Sequence, residues 1–303
     1  MSTKLEQPSE KQESTKEIYT LGEIIKLSGE EPDYLLEPIL PRVGTCILVA
    51  KPDVGKSQLV RQFSLAIVSG HSEFLSFKLK VLHKSVIYVA TEDHAVGISF
   101  PIKKQIEGFE GYDENNLIFI CADTMSPEEI YKNTHAQLKK MKADLVVIDS
   151  FGDIFSGPDI NNNVLMRQEA KRFDNIAKKY ECNVLFIHHI NKATYDRSPD
   201  QKYIQGGSGL VQRIRTALFL SEGIGSLKYL AVVKGNYTPK QVKSMAVELE
   251  FNEATFTFTE TGKQVPVREL GQNNYQTKEI KREELVETAQ EIFGDKTLDH
   301  KEI

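Results

Sequence analysis

Cysteine is scarce: Cys46, Cys121 and Cys182 are the only three in 303 residues, and no CxxC spacing joins them. Each lies within an apolar run, so buried structural thiols are expected rather than a disulfide framework or metal ligands, and a reducing, cytoplasmic setting fits. Long apolar runs are missing as well. The strand-like stretches fall far short of the roughly 18 residues that span a bilayer, and the leading MSTKLEQPSEKQESTKE has no apolar signal segment. Neither export nor membrane insertion is expected. There is no excess of positive charge: 38 Lys and Arg face 43 Asp and Glu, for a net charge of -5. That excludes a polybasic nucleic-acid binder, so any nucleic-acid contact must be local. Repeats and low-complexity tracts are also lacking. What remains is 40% hydrophobic and 27% charged, a globular mix long enough for one large α/β domain or two ordinary ones.

Residues 1–16 are polar and poor in apolar side chains, which predicts a flexible arm. Residues 17–260 read as one domain. The stretch from Ile18 to Pro41, with Pro32, Pro38 and Pro41, predicts a leading helix and an extended connection, and the core is expected to begin at Gly44. From there CILVA (46–50), VIYVA (86–90), LIFIC (117–121), DLVVID (144–149) and NVLFIHH (183–189) read as strands covered on both faces. Helical spacing marks 55–69 and 164–180, and Ser126-Pro127-Glu128-Glu129 is a capping signal for a helix over 127–141. Such alternation predicts an α/β fold with a mostly parallel central sheet and helices on both faces. After residue 214, TALFLS (216–221), KYLAVVK (228–234), SMAVELEF (244–251) and ATFTFT (254–259) leave no room for helices and predict antiparallel hairpins at one edge. Residues 261–303 form a charged tail. Leu285, Val286, Ala289, Ile292 and Phe293 give it one amphipathic helix, closed by Gly294, that could begin a truncated module.

The segment Ala50-Lys51-Pro52-Asp53-Val54-Gly55-Lys56-Ser57, followed by Gln58, comes after a strand and opens a helix, the context of a phosphate-binding loop. Its backbone N–H groups would curl around phosphates, Lys56 would reach the β and γ oxygens, and Ser57 would ligate Mg²⁺. Ala50 stands where the pattern prefers Gly, which is tolerable at negative φ. Asp149, at the end of LVVIDS, is the candidate Walker B acid beside Mg²⁺. Glu92, just after VIYVA, is the candidate base or polariser for an attacking water, with Asp93 as a competing carboxylate. ATP and Mg²⁺ are the implied cofactors.

The segments AKPDVGKS, VIYVATED, LVVIDS, VLFIHHINK, QGGSGLVQRIRTALFLS and VVKGNY occur in an order that resembles the RecA-like P-loop ATPases. Among these the likeness is closest to the plasmid replicative helicase RepA and related plasmid and phage ATPases, over about residues 40–260. The resemblance implies that Glu92 is the catalytic glutamate. It makes His189, with His188 beside it, the sensor of the γ-phosphate. Arg215 would be an arginine finger acting on the neighbouring subunit, Arg213 being the competing choice, and Lys234 a second trans-acting cation. Asn236 stands where some replicative helicases have Arg. The resemblance further implies a homo-oligomeric, hexameric ring and contact with single-stranded DNA through loops after Asp149 and His189, where Lys192, Arg197, Lys202, Tyr195 and Tyr203 are candidates. The alternative is a nucleotide-driven switch or assembly factor that acts on a protein partner without DNA.

Overall fold

A computed structural model describes residues 18–27, 31–155 and 162–271. The arm over 1–16, part of the loop after Asp149 and the expected helix around Leu285 lie outside these residues. The chain divides into two units, Met1–Pro32 and Asp33–Ile303. In the first, α1 (Leu21–Ile25) starts at a capping box made by Thr20 and Glu23 and buries none of its residues.

In the second unit the chain runs through β1 (Tyr34–Glu37), β2 (Leu40–Pro41), β3 (Gly44–Ala50), α2 (Lys56–Val68), β4 (Glu73–Phe74), β5 (Phe77–Leu79), β6 (Val86–Ala90) and α3 (Ala95–Ile106). It continues through β7 (Leu117–Cys121), α4 (Pro127–Lys140), β8 (Leu145–Asp149), α5 (Asn163–Tyr180), β9 (Asn183–His189) and α6 (Gly207–Arg213). The last elements are β10 (Thr216–Glu222), β11 (Leu227–Gly235), α7 (Lys240–Ser244), β12 (Met245–Asn252) and β13 (Thr257–Pro266).

Nine strands form one sheet in the order β13-β12-β11-β10-β3-β9-β8-β6-β7. All seven residues of β3 are buried because its alternate side chains enter two separate cores. Ile47 and Val49 join α4, α5 and α6 on one face, while Cys46, Leu48 and Ala50 join α2 and Ile98 of α3 on the other. Neighbours from β10 to β7 are parallel, and those from β10 to β13 antiparallel. This is the expected α/β architecture of a mostly parallel sheet, helices on both faces and antiparallel edge hairpins.

Three expectations need correction. The core begins before Gly44: Leu35, Leu36, Ile39 and Leu40 are buried against the α2 face. They belong to the small sheet β2-β1-β5-β4 and, for Ile39, to the turn between β1 and β2; its strands are too short to leave a period in the sequence. TALFLS is not in an edge hairpin on both sides, since β10 pairs parallel with β3. The crossover is made by the single short helix α6, too brief for helical periodicity to register. The final strand runs through the expected boundary at residue 260 to Pro266. Among the cysteines, Cys46 and Cys182 are buried, and burial raises their thiols to about 11 and about 12, whereas Cys121 at the end of the edge strand β7 is only half-buried. No helix among the described residues is long and apolar enough to cross a membrane.

Candidate nucleotide site

Strand β3 lies between two parallel neighbours and delivers the loop 51–55 to the carboxyl end of the sheet. Ala50 is simply the last extended residue of β3, so the missing Gly there costs nothing. The turn into α2 is made instead by Gly55, left-handed at φ 99. A Cβ on Gly55 would stand 2.8 Å from Cζ of Phe258, so a side chain here would meet both backbone strain and a buried ring. Asp53 is also left-handed, at φ 63, a region that Asp tolerates better than most residues. With Gly55 as cap, no side chain bonds the first turn of α2. The backbone donors of Lys56, Ser57 and Gln58 are thus available to an anion, in the field of a thirteen-residue helix. Val54 is buried under the loop, and Lys51 pairs with Glu222 at the end of β10.

Lys56 is nearly buried and folds back to donate to the Lys51 carbonyl at 2.9 Å. Burial pulls its ammonium below the usual value, opposed by the carboxylates of Asp149, Glu92 and Asp53. Asp149 ends β8, two strands from the loop, where its carboxylate accepts from Tyr88 Oη at 2.6 Å and from the Ser57 hydroxyl. Burial raises its pKa despite those two bonds. Glu92 follows β6 and remains exposed, yet desolvation lifts it above the ordinary carboxylate range, with Asp149 and Asp153 adding repulsion against a bond from Ser150. Asp93 is turned towards Arg61 of α2, with Oδ2 3.9 Å from its guanidinium.

His189 pairs with Ala50 across β3 and β9. It feels Lys56, Asp149 and Asp153, and burial followed by Lys56 lowers its pKa; its Nδ1 is buried without a partner. His188 points the other way, under Phe151, and its Nε2 lies 3.1 Å from the Gln205 carbonyl. Burial and then His189 take its pKa down to about 4, so both imidazoles are neutral at pH 7.

Arg215 and Lys234 lie elsewhere. Arg215 is exposed at the opposite end of the sheet, its N–H bonded to Thr45 O at 2.7 Å. From Thr45 to Ala50 the strand between them spans about 16 Å at about 3.3 Å per residue, so Arg215 does not reach its own loop. Lys234 donates to Val211 O and, at 2.7 Å, to Ile214 O, closing the carboxyl end of α6. Arg213 is 4.0 Å from Asp174. Of the two loops expected to contact DNA, the first begins in the core, with Phe151 and Ile154 buried. In the second, Lys202 is paired with Asp200 at 3.0 Å, Tyr195 packs on the core, and Lys192 and Arg197 are exposed.

Thr91, Ser150, Asp153, Tyr88 and Arg61 were not assigned roles from sequence. Thr91, Ser150 and Asp153 stand within or just beyond VATED and LVVIDS, but a short polar residue there looks like any loop residue until its partners are known.

The profile of an AAA domain family matches residues 13–194, more than half of the chain. The chain belongs to this AAA domain family. Among solved structures, the AAA domain protein is similar to one ATPase domain with TM-score 0.54 and 14% identity, over 72% of this chain and 84% of that one. It is also similar to a KaiC-like protein from the hyperthermophilic archaeon Pyrococcus horikoshii OT3, with TM-score 0.53 and 15% identity over 75% of this chain and 93% of that one. These likenesses establish a RecA-like P-loop ATPase fold. No curated protein matches the chain.

Proposed function

We propose that this protein is a Mg²⁺-dependent ATPase of the RecA and RepA type that works as a ring, each active site completed by a neighbouring subunit, and couples hydrolysis to single-stranded DNA. The observation that carries the reading is the convergence of Lys56, Ser57, Asp149, Glu92 and His189 around the carboxyl ends of β3, β8, β6 and β9. The donor set suits the cofactor. A hydroxyl and a carboxylate already bonded to each other offer the hard oxygen ligands Mg²⁺ prefers, and the unbonded first turn of α2 suits phosphates. Bound Mg²⁺ would neutralise charge on the β and γ oxygens.

The chain's own groups supply the rest. Lys56 swings from the Lys51 carbonyl to the phosphates, and Glu92, with a raised proton affinity, orients and accepts a proton from the attacking water. Neutral His189 offers one donor to the γ-phosphate while Lys56 stays charged. An aromatic pair against which the base could pack stands nearby. Gln105 Nε2 donates to both Gln58 O (2.8 Å) and Phe256 O (2.7 Å), bringing the Phe100–Phe256 pair beside the first turn of α2. Arg215, out of reach of its own loop, serves the adjacent subunit. For DNA, a cleft of about 920 Å³ gathers Arg197, Lys202, Lys243 and Arg268 against Asp196 and Asp200, a local basic surface on an acidic chain.

ATP hydrolysis with and without single-stranded DNA, with Lys56→Ala as blank, tests the reading. Strong stimulation by DNA supports the ring motor. Turnover indifferent to DNA leaves the ATPase and transfers the coupling to a protein partner, and turnover equal to the blank removes both.

A further inference from the structure

The loops bearing Glu92 and Asp149 are tied together by groups that the hydrolytic chemistry does not otherwise use. Thr91 is buried, and its N–H donates to Asp149 O at 2.7 Å. Its hydroxyl accepts from Ser150 N–H at 2.7 Å and donates to Asp153 Oδ2 at 2.6 Å. The Ser150 hydroxyl is 2.9 Å from the same Asp153 oxygen and also reaches Glu92. A hydroxyl carries one proton, and with Ser150 N–H on its acceptor side Thr91 can point its own at the Asp149 carbonyl (2.9 Å) or at Asp153 Oδ2 (2.6 Å), of which the closer, charged carboxylate is the stronger acceptor. On the other side of Glu92, Asp93 faces the buried Arg61. Glu92 itself is exposed and bonded to the Ser150 hydroxyl, between two anchored sequence neighbours.

We propose that Thr91, Ser150 and Asp153 form a clasp that positions the Glu92 carboxylate relative to Asp149. Asp153 and Thr91 are positioning residues, acting through the loop that carries Glu92. This rests on the hydrolytic reading, and adds that the two catalytic loops move as one body. The physical reason is a single buried hydroxyl that joins the end of β6 to the turn after β8. Without it, the Glu92 loop retains the Thr91 backbone bond, the bond from the Ser150 hydroxyl and the long Arg61–Asp93 contact on its other side. A misplacement of about 1 Å at a catalytic group costs roughly a hundredfold in rate.

The test compares Thr91→Val, which keeps the shape and deletes the hydroxyl, with Thr91→Ser, which keeps the hydroxyl, and with Asp153→Asn. Affinity for a fluorescent ATP analogue is read separately from single-turnover hydrolysis. In Thr91→Val, kcat should fall about tenfold to a hundredfold with nucleotide affinity within about twofold of wild type. Thr91→Ser should recover most of the rate, and adding Asp153→Asn to Thr91→Val should cost little more, because the two act in one unit. Full turnover in Thr91→Val, or affinity and rate lost in parallel without rescue by Thr91→Ser, overturns the clasp while hydrolysis stands. Wild-type turnover equal to the Lys56→Ala blank overturns the hydrolytic reading, and the clasp with it.

Discussion

Two buried aspartates flank the same strand and have opposite fates. Asp144, just before β8, accepts from Leu82 N at 2.9 Å and His83 N at 2.8 Å and faces Arg42 at 3.5 Å. Arg42 is itself held by Asp33 and by the Tyr34 and Lys80 carbonyls. Both carboxylate oxygens of Asp144 and all three guanidinium nitrogens of Arg42 are satisfied within the chain. Asp149, at the other end of β8, has two hydroxyl donors, and nearby stand an exposed Glu92, a bent-back Lys56 and a His189 nitrogen without a partner. Saturated polar groups make structure, whereas groups left short of partners at the carboxyl end of a parallel sheet are set to meet a ligand.

The largest expected effect would break this division, because Arg215 belongs to the Asp144 end. Arg215→Ala should cut turnover by about 10³-fold or more while leaving nucleotide affinity intact, and mixing it with Lys56→Ala should restore part of the activity through hybrid sites. Normal turnover in Arg215→Ala would remove the trans role. Next, Asp149→Asn should lower turnover by about 10³-fold with an unfolding midpoint no lower than wild type, since burial already disfavours that charge. Asp144→Asn should do the reverse, losing about 3 kcal/mol of stability in urea titration with kcat retained.

His188 sharpens the contrast through pH. Its folded pKa of about 4 lies below the ordinary 6.5, so the unfolded chain binds the proton more readily and stability falls as pH drops from about 6.5 to about 4. Between pH 7 and 5 this amounts to about 2 kcal/mol. His188→Gln, able to donate to the Gln205 carbonyl, should lose that much less over the same interval. The smallest effect is expected away from both ends of β8. Ser126→Ala removes the capping box of α4, costing about 1 kcal/mol without altering turnover.

Much of the candidate site was legible because phosphate chemistry restricts local sequence. A strand, a turn that needs Gly55, then Lys56 and Ser57 form a contiguous signal, and the carboxylates lie at the ends of strongly apolar runs. The clasp was not legible: Thr91 and Asp153 lie 62 positions apart, and their bond exists only because β6 and β8 are adjacent in the sheet. Lys234 shows the converse. Its place in VVKGNY suggested a trans-acting cation, while the fold occupies its ammonium with two carbonyls of α6.

By itself the sequence determined the alternation of strands and helices, the phosphate loop and the capping of α4, all properties of residues close together in the chain. Tertiary structure alone decided that β10 runs parallel beside β3, that Phe258 closes over Gly55, and that Arg215 stands far from its own loop. The physical reason is that these follow from which strands become neighbours. That choice is made by burying two faces of one sheet at once, and no local pattern of residues encodes it.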